Sequence, residues 1–292
     1  MLLGGSPPRM GAPSKASVVK GAAWGCIICA MLWSALVGWV LGVFINGLAD
    51  SLPIIRRPRL PHCLQCTALR PLIAWSGGIG WMTGRGRCPY CGTRRGARTV
   101  IVELVGIVGA VLLYVRDARA SVLLPGIAVG SVFLLIAVID IEHRLIPHVV
   151  VFPAALGLGV LQTLDPSRGA IKTLVGGLAG AGSFFLLYLL GEAFARLLAR
   201  ARGRSLDEVA FGFGDVTLAG LIGLIVGWPA VVLALLVGIL TAGLFSLGYL
   251  LVMLARRRYT AFTPIPYGPF LILGASLVYY GGRGLFESIL LG

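Results

Sequence analysis

Charge is what this sequence has least of. Only 12% of its 292 residues are Asp, Glu, Lys or Arg, about half the share of a soluble domain. Hydrophobic residues make up 58%, and the mean hydropathy is +0.93. A water-soluble core cannot hide that much apolar surface, but a bilayer can. Histidine is scarce: His62, His143 and His148 are the full set. None forms an HExxH pair, which excludes a helix-borne zinc protease. No GxSxG elbow and no glycine-rich nucleotide fingerprint occurs, so neither a serine hydrolase of that type nor a dinucleotide fold is indicated. No internal repeat or low-complexity tract is present. The net charge of +14 lacks the interleaved aromatic and basic residues that stack nucleobases, so nucleic acid is not the expected partner.

What is present is a series of apolar segments. They run near 22–48, 99–115, 121–139, 148–164, 171–195, 215–227, 229–255 and 268–282. A spanning helix needs roughly 20 apolar residues, so the sequence predicts an all-α polytopic membrane protein with about eight transmembrane helices. Pro147, Pro166, Pro229 and Pro264 to Pro269 mark boundaries. The segment 215–227 is short, and its ends are expected to be irregular or protein-covered. The expected division is a polar tail at 1–21, a first permanent span rather than a cleaved signal at 22–48, a basic loop at 49–98, and a helical core at 99–292. Gly176 to Gly180 and Gly223 to Gly227 have the small-xxx-small spacing that lets helices approach closely.

The basic residues give an orientation. With the N-terminus outside, the inner connections hold seventeen of the 25 Lys and Arg. This is the positive-inside bias, and it makes the 49–98 loop cytoplasmic. That loop carries Cys63-Leu-Gln-Cys66 and Cys88-Pro-Tyr-Cys91. Two CxxC pairs at this separation can close a tetrahedral thiolate shell around structural zinc. A reducing compartment disfavours disulfides. Arg85, Arg87, Arg94 and Arg95 would offset the thiolate charge. Cys26 and Cys29 form a third CxxC inside the first span, where cysteine is usually a small hydrophobe.

Two acidic residues have unusual surroundings. Asp140 follows the apolar run Val132 to Ile139, and Asp215 follows Phe211-Gly-Phe-Gly214. Both fall at segment ends on the expected cytoplasmic side. Ionisable groups at such depth point to function. Two carboxyls that face each other in a partly desolvated site cannot both ionise easily, so one serves as acid and the other as base. Such a pair can activate water against a peptide carbonyl. Helix caps or a proton relay remain the alternative, as in a transporter or scaffold.

These motifs together resemble the type IV prepilin peptidases, intramembrane aspartic proteases of bacteria. The likeness covers Phe44-Ile-Asn46 through Leu52-Pro53, the two CxxC pairs, Val102-Glu103-Leu104, Asp140 with Ile146-Pro147, Gly212-Phe-Gly-Asp215 and Ile265-Pro-Tyr-Gly-Pro-Phe270. The resemblance implies that Asp140 and Asp215 are catalytic. They would cleave the basic leader of type IV prepilins or pseudopilins after a Gly, at the cytoplasmic face of the inner membrane. It also implies a second activity in many members, in which the cysteine loop takes part in N-methylation of the new terminus with S-adenosylmethionine. Three positions depart from the pattern: no Pro follows Cys63, Thr217 stands where many members have Lys, and His148 replaces a frequent Asp or Asn.

Overall fold

The computed structural model describes residues 15–165, 169–202, 212–256 and 266–281, with side chains from Ile27 onward except at 198–199 and 201–202. Most of the 1–21 tail, the Cys26 side chain, Pro166, Phe211 and Pro264–Ile265 lie outside the described residues.

Every described regular element is helical. The helices are α1 (Lys15–Ile55), α2 (Gly77–Met82), α3 (Arg98–Arg116), α4 (Ala120–His143), α5 (His148–Thr163), α6 (Gly169–Arg202), α7 (Phe213–Val226), α8 (Ala230–Ala255) and α9 (Gly268–Gly281). Five of them are long and apolar enough to cross a membrane; α5, α7 and α9 are apolar but shorter. All eight expected apolar segments are therefore helices. Large side chains such as Leu32, Trp33, Phe44, Leu178 and Leu244 are exposed along them, the kind of apolar surface that a membrane-spanning helix turns to lipid.

Two differences from the sequence reading matter. First, α1 does not stop near Leu48 but continues to Ile55, with Pro53 inside its last turn. The extra turns are held by Ser51, whose hydroxyl donates to the Gly47 carbonyl at 2.9 Å, and by Asp50, which pairs with Arg98. Second, the 49–98 loop contains a helix of its own, α2, which the sequence reading did not foresee.

Close packing depends on glycine. On α1 and α3, a Cβ at Gly38 would run into the Gly106 backbone, and one at Gly42 into that of Glu103. On α6 and α7, Gly176 meets Gly223 and Gly227, and Gly180 meets Ala219. Those are the small-xxx-small positions read from the sequence. The main core lies where α4, α7 and α9 meet, around Phe133, Ile136, Leu218, Ile222 and Leu271.

Candidate active site and cysteine cluster

Asp140 occupies the last turn of α4, and it is 5% exposed. The helix stops three residues later because Arg144 takes a left-handed conformation, its N–H donating to the Asp140 carbonyl at 2.8 Å. Pro147 then fixes an extended entry to α5. Between them, Ile146 is buried and packs on Gly214 of α7, where a Cβ would be only 3.0 Å away. This contact ties the turn after Asp140 to the start of the helix that carries Asp215.

Asp215 sits at the third position of α7 and accepts the Gly212 N–H at 3.2 Å, closing the helix start on itself. Asp140 Oδ2 accepts the N–H of Gly268, the first residue of α9, at 3.0 Å. A helix N-terminus favours a carboxylate at that point. The ends of α4, α7 and α9 thus adjoin: a Cβ at Gly268 would lie 2.6 Å from Asp140 Oδ2 and 3.5 Å from Leu218, three residues after Asp215. Tyr267, just before α9, packs its ring against Phe184 of α6. Neither the Gly268 amide nor Tyr267 was singled out as a site group. The Pro/Gly segment at 265–270 was the only sequence signal for them.

His148 and Thr217, the two departures beside the aspartates, touch. The Thr217 hydroxyl and His148 Nδ1 are 3.5 Å apart, and that hydroxyl also donates to the Gly214 carbonyl at 2.8 Å. The His148 ring stacks on Phe152 and meets Phe213 edge-on. Glu142, two residues after Asp140, is turned away to Arg98, which also binds Asp50.

The four loop cysteines converge. Their Sγ atoms all lie within 4.8 Å of one another, with Cys63 to Cys91 at 3.5 Å and Cys66 to Cys88 at 3.6 Å. Ligands at the usual zinc–sulfur length would be separated by about 3.8 Å in a tetrahedron. The two knuckles repeat one backbone design. Thr67 N–H donates to the Cys63 carbonyl and Gly92 N–H to that of Cys88, both at 2.9 Å. Both donors have positive φ, 57° at Thr67 and 72° at Gly92. The backbone N–H groups of Cys66 and Gln65 hold the Cys63 thiol below its ordinary value, and those of Cys91 and Tyr90 do so for Cys88. The Thr93 hydroxyl and N–H lower Cys91. At Cys66 the Ala68 N–H pulls down, but burial and the neighbouring sulfurs outweigh it and push the thiol up to about 12. The geometry and donor chemistry fit a tetrahedral thiophilic cation.

Glu103, 2% exposed, is engaged by the loop. It accepts from the Ser76 hydroxyl at 2.6 Å, from Gly77 N–H at 2.5 Å and from Gly78 N–H at 3.2 Å. Beside the cysteines lies a polar cavity of about 370 Å³, whose lining includes Asp50, Arg70, Arg95, Arg98 and Glu142.

Comparison with known proteins agrees with this arrangement of segments. The model of the type IV leader peptidase family matches residues 127–247, which include Asp140 and Asp215. The model of the bacterial peptidase A24 N-terminal domain matches residues 36–116, which include the four cysteines. Three of the similar proteins are each named "Prepilin leader peptidase/N-methyltransferase". That of Pectobacterium carotovorum subsp. carotovorum is 30% identical over 82% of this chain and 88% of its own. That of Aeromonas hydrophila is 27% identical over 80% and 74%, and that of Stutzerimonas stutzeri 26% over 90% and 93%. No solved structure matches the chain. Matches this long, over both the cysteine loop and the aspartate-bearing helices, place the chain in the type IV leader peptidase family.

Proposed function

We propose that the chain is an intramembrane aspartic endopeptidase. Its substrates are type IV prepilins or pseudopilins, and it removes their basic leader after a Gly at the cytoplasmic face of the bacterial inner membrane. The observation that carries this reading is the placement of Asp140 and Asp215 at adjoining ends of α4 and α7, in a chain whose relatives bear the peptidase name. A transporter relay would need its carboxylates near the bilayer midplane. Here both lie at helix ends on one side.

The reaction follows from two carboxyl groups. One, ionised, takes a proton from water as the water oxygen adds to the scissile carbonyl carbon. The other, protonated, gives its proton to the carbonyl oxygen. As the tetrahedral adduct collapses and the C–N bond breaks, the first carboxyl gives the proton it took from water to the departing nitrogen, and the second takes back the hydroxyl proton, so both return to their starting states. The Gly268 N–H orients Asp140 for this work, and the Gly212 N–H orients Asp215.

In this reading residues 99–292 form the peptidase core after a first span that begins near residue 22, and the N-terminus lies outside. Cys63, Cys66, Cys88 and Cys91 hold a structural zinc that ties the 49–98 loop into one unit. The relatives' second name supports an N-methyltransferase activity. The 370 Å³ polar cavity has the size of a small-molecule site. Its arginines suit the carboxylate of S-adenosylmethionine, and Asp50 and Glu142 suit its ammonium and hydroxyls. The bound cofactor would supply the methyl group for the new N-terminus.

The test is co-expression with a prepilin whose leader precedes a Gly and a hydrophobic helix. The expected result is a mobility shift matching loss of the leader. An unshifted substrate, with the enzyme present in the membrane, would overturn the assignment.

A further inference from the structure

The stretch from Pro71 to Gly84 contains no charged residue, and it is bounded by Arg70 on one side and Arg85 and Arg87 on the other. An apolar stretch of roughly 10–14 residues is too short to span and suits a re-entrant or interfacial segment. Its depth can be read from the helices that hold it. Along the antiparallel pair of α1 and α3, Asp50 faces Arg98, Asn46 faces Thr99, and Gly42 faces Glu103. Glu103 lies five residues beyond Arg98 on α3, about 7.5 Å along the helix. Gly42 lies eight residues before Asp50 on α1, about 12 Å. The turn that opens α2 is clamped at that deeper layer, with Ser76 and Gly77 on Glu103 and the Trp39 indole N–H on the Ser76 hydroxyl at 3.3 Å.

Non-helical backbone at such depth must have its polar groups satisfied by protein. Here they are. Arg95, from beyond the cysteines, donates to the Ala74 and Trp75 carbonyls at 2.7 and 2.6 Å. Glu103 accepts from Gly77 and Gly78, and the Ser76 hydroxyl accepts from Ile79 N–H at 3.2 Å. The apolar side chains point the other way. Leu72 is 74% exposed, Trp81 76% and Met82 81%, with Ile73 also exposed. They continue the exposed Val40 and Phe44 of α1 across a cavity of about 510 Å³ that also meets Leu60, Leu72 and Ile79.

We infer that residues 71–84 dip back into the bilayer from the face that bears the two aspartates, with Leu72, Ile73, Trp81 and Met82 against lipid chains and Arg85 and Arg87 against anionic headgroups. The occupant of this surface is the phospholipid of the leaflet. The continuity with the lipid-facing side of α1 and the sign of the flanking charges both favour it. The cysteine unit is then seated on the membrane by its own lipid-contacting segment as well as by its two flanking helices.

The experiment uses the full chain in vesicles of phosphatidylethanolamine and phosphatidylglycerol whose acyl chains are brominated near the glycerol end. Comparing wild type with Trp81→Phe isolates the Trp81 emission. That emission should lose most of its intensity to the bromines and little to acrylamide in the water. Met82→Trp in the Trp81→Phe background moves the reporter by one residue and should behave alike. Quenching by acrylamide but not by brominated lipid would overturn the inference. So would bromine quenching that appears only when protein is greatly diluted in lipid, because a second copy would then own the surface. Replacing phosphatidylglycerol with phosphatidylcholine should weaken the quenching; no change would remove the anionic-headgroup assignment. None of these readouts depends on peptide cleavage.

Discussion

Asp140 and Asp215 stood out in the sequence because each interrupts or opens an apolar run. What holds them did not stand out. Gly268 is 128 residues from Asp140, and no local pattern joins them; yet a Cβ there would lie 2.6 Å from Asp140 Oδ2. Gly268→Ala must therefore displace the carboxylate. If Asp140 is catalytic, leader cleavage should fall about a hundredfold, the scale of a roughly 1 Å misplacement, while the protein still accumulates in the membrane. A single-turnover cleavage assay checks this. His148 and Thr217 were visible as two separate departures, but their contact makes them one coupled feature. Thr217→Lys alone puts an ammonium against the imidazole and should lower activity. Adding His148→Asp supplies a counter-ion and should recover much of the loss. A double-mutant cycle reads the coupling, expected at about 0.5–3 kcal/mol for residues in contact.

At the scale of elements, the eight apolar segments were legible because length and hydropathy alone separate them from their connections. Two features were not. The continuation of α1 to Ile55 rests on Asp50 meeting arginines some 45 residues away, and Pro53 argued against it. Helix α2 is six residues long, too short for a periodic signal, and its support comes from Glu103 and Arg95. The short α7 and α9 have 14 residues each, about 21 Å of rise against a hydrocarbon thickness near 30 Å. Their N-terminal ends carry Asp215 and Gly268. Helix α7 can hold that position because Gly223 lets α6 approach backbone to backbone. Gly223→Leu should cost about 1–3 kcal/mol through overpacking, read as a lower unfolding midpoint in detergent. Gly182→Leu, on α6 where a Cβ meets nothing within 4 Å, is the matched control and should be near neutral.

Across the whole molecule, the chain divides its chemistry between a cysteine unit and an aspartate-bearing bundle, joined by Arg98, which reaches both Asp50 of α1 and Glu142 of α4. The cysteine spacing was readable because CxxC pairs encode their own geometry. The polar cavity beside them was not, since its lining is drawn from α1, the loop, α3 and α4. Purified protein should hold about one zinc per chain. Cys63→Ser or Cys91→Ser should lose it and leave the loop protease-sensitive, whereas Cys29→Ser should not alter the metal content measured by plasma emission. Cleavage should suffer less than methylation in those variants. The central claim is that Asp140 and Asp215 together perform the hydrolysis, and one measurement addresses it directly. A prepilin is incubated with Asp140→Asn, Asp215→Asn and Glu142→Gln proteins, each shown to be folded in the membrane. The account predicts no detectable leader removal by either Asn variant, because an amide cannot exchange the required proton, and substantial removal by Glu142→Gln. Cleavage at the wild-type rate by either Asn variant would contradict it.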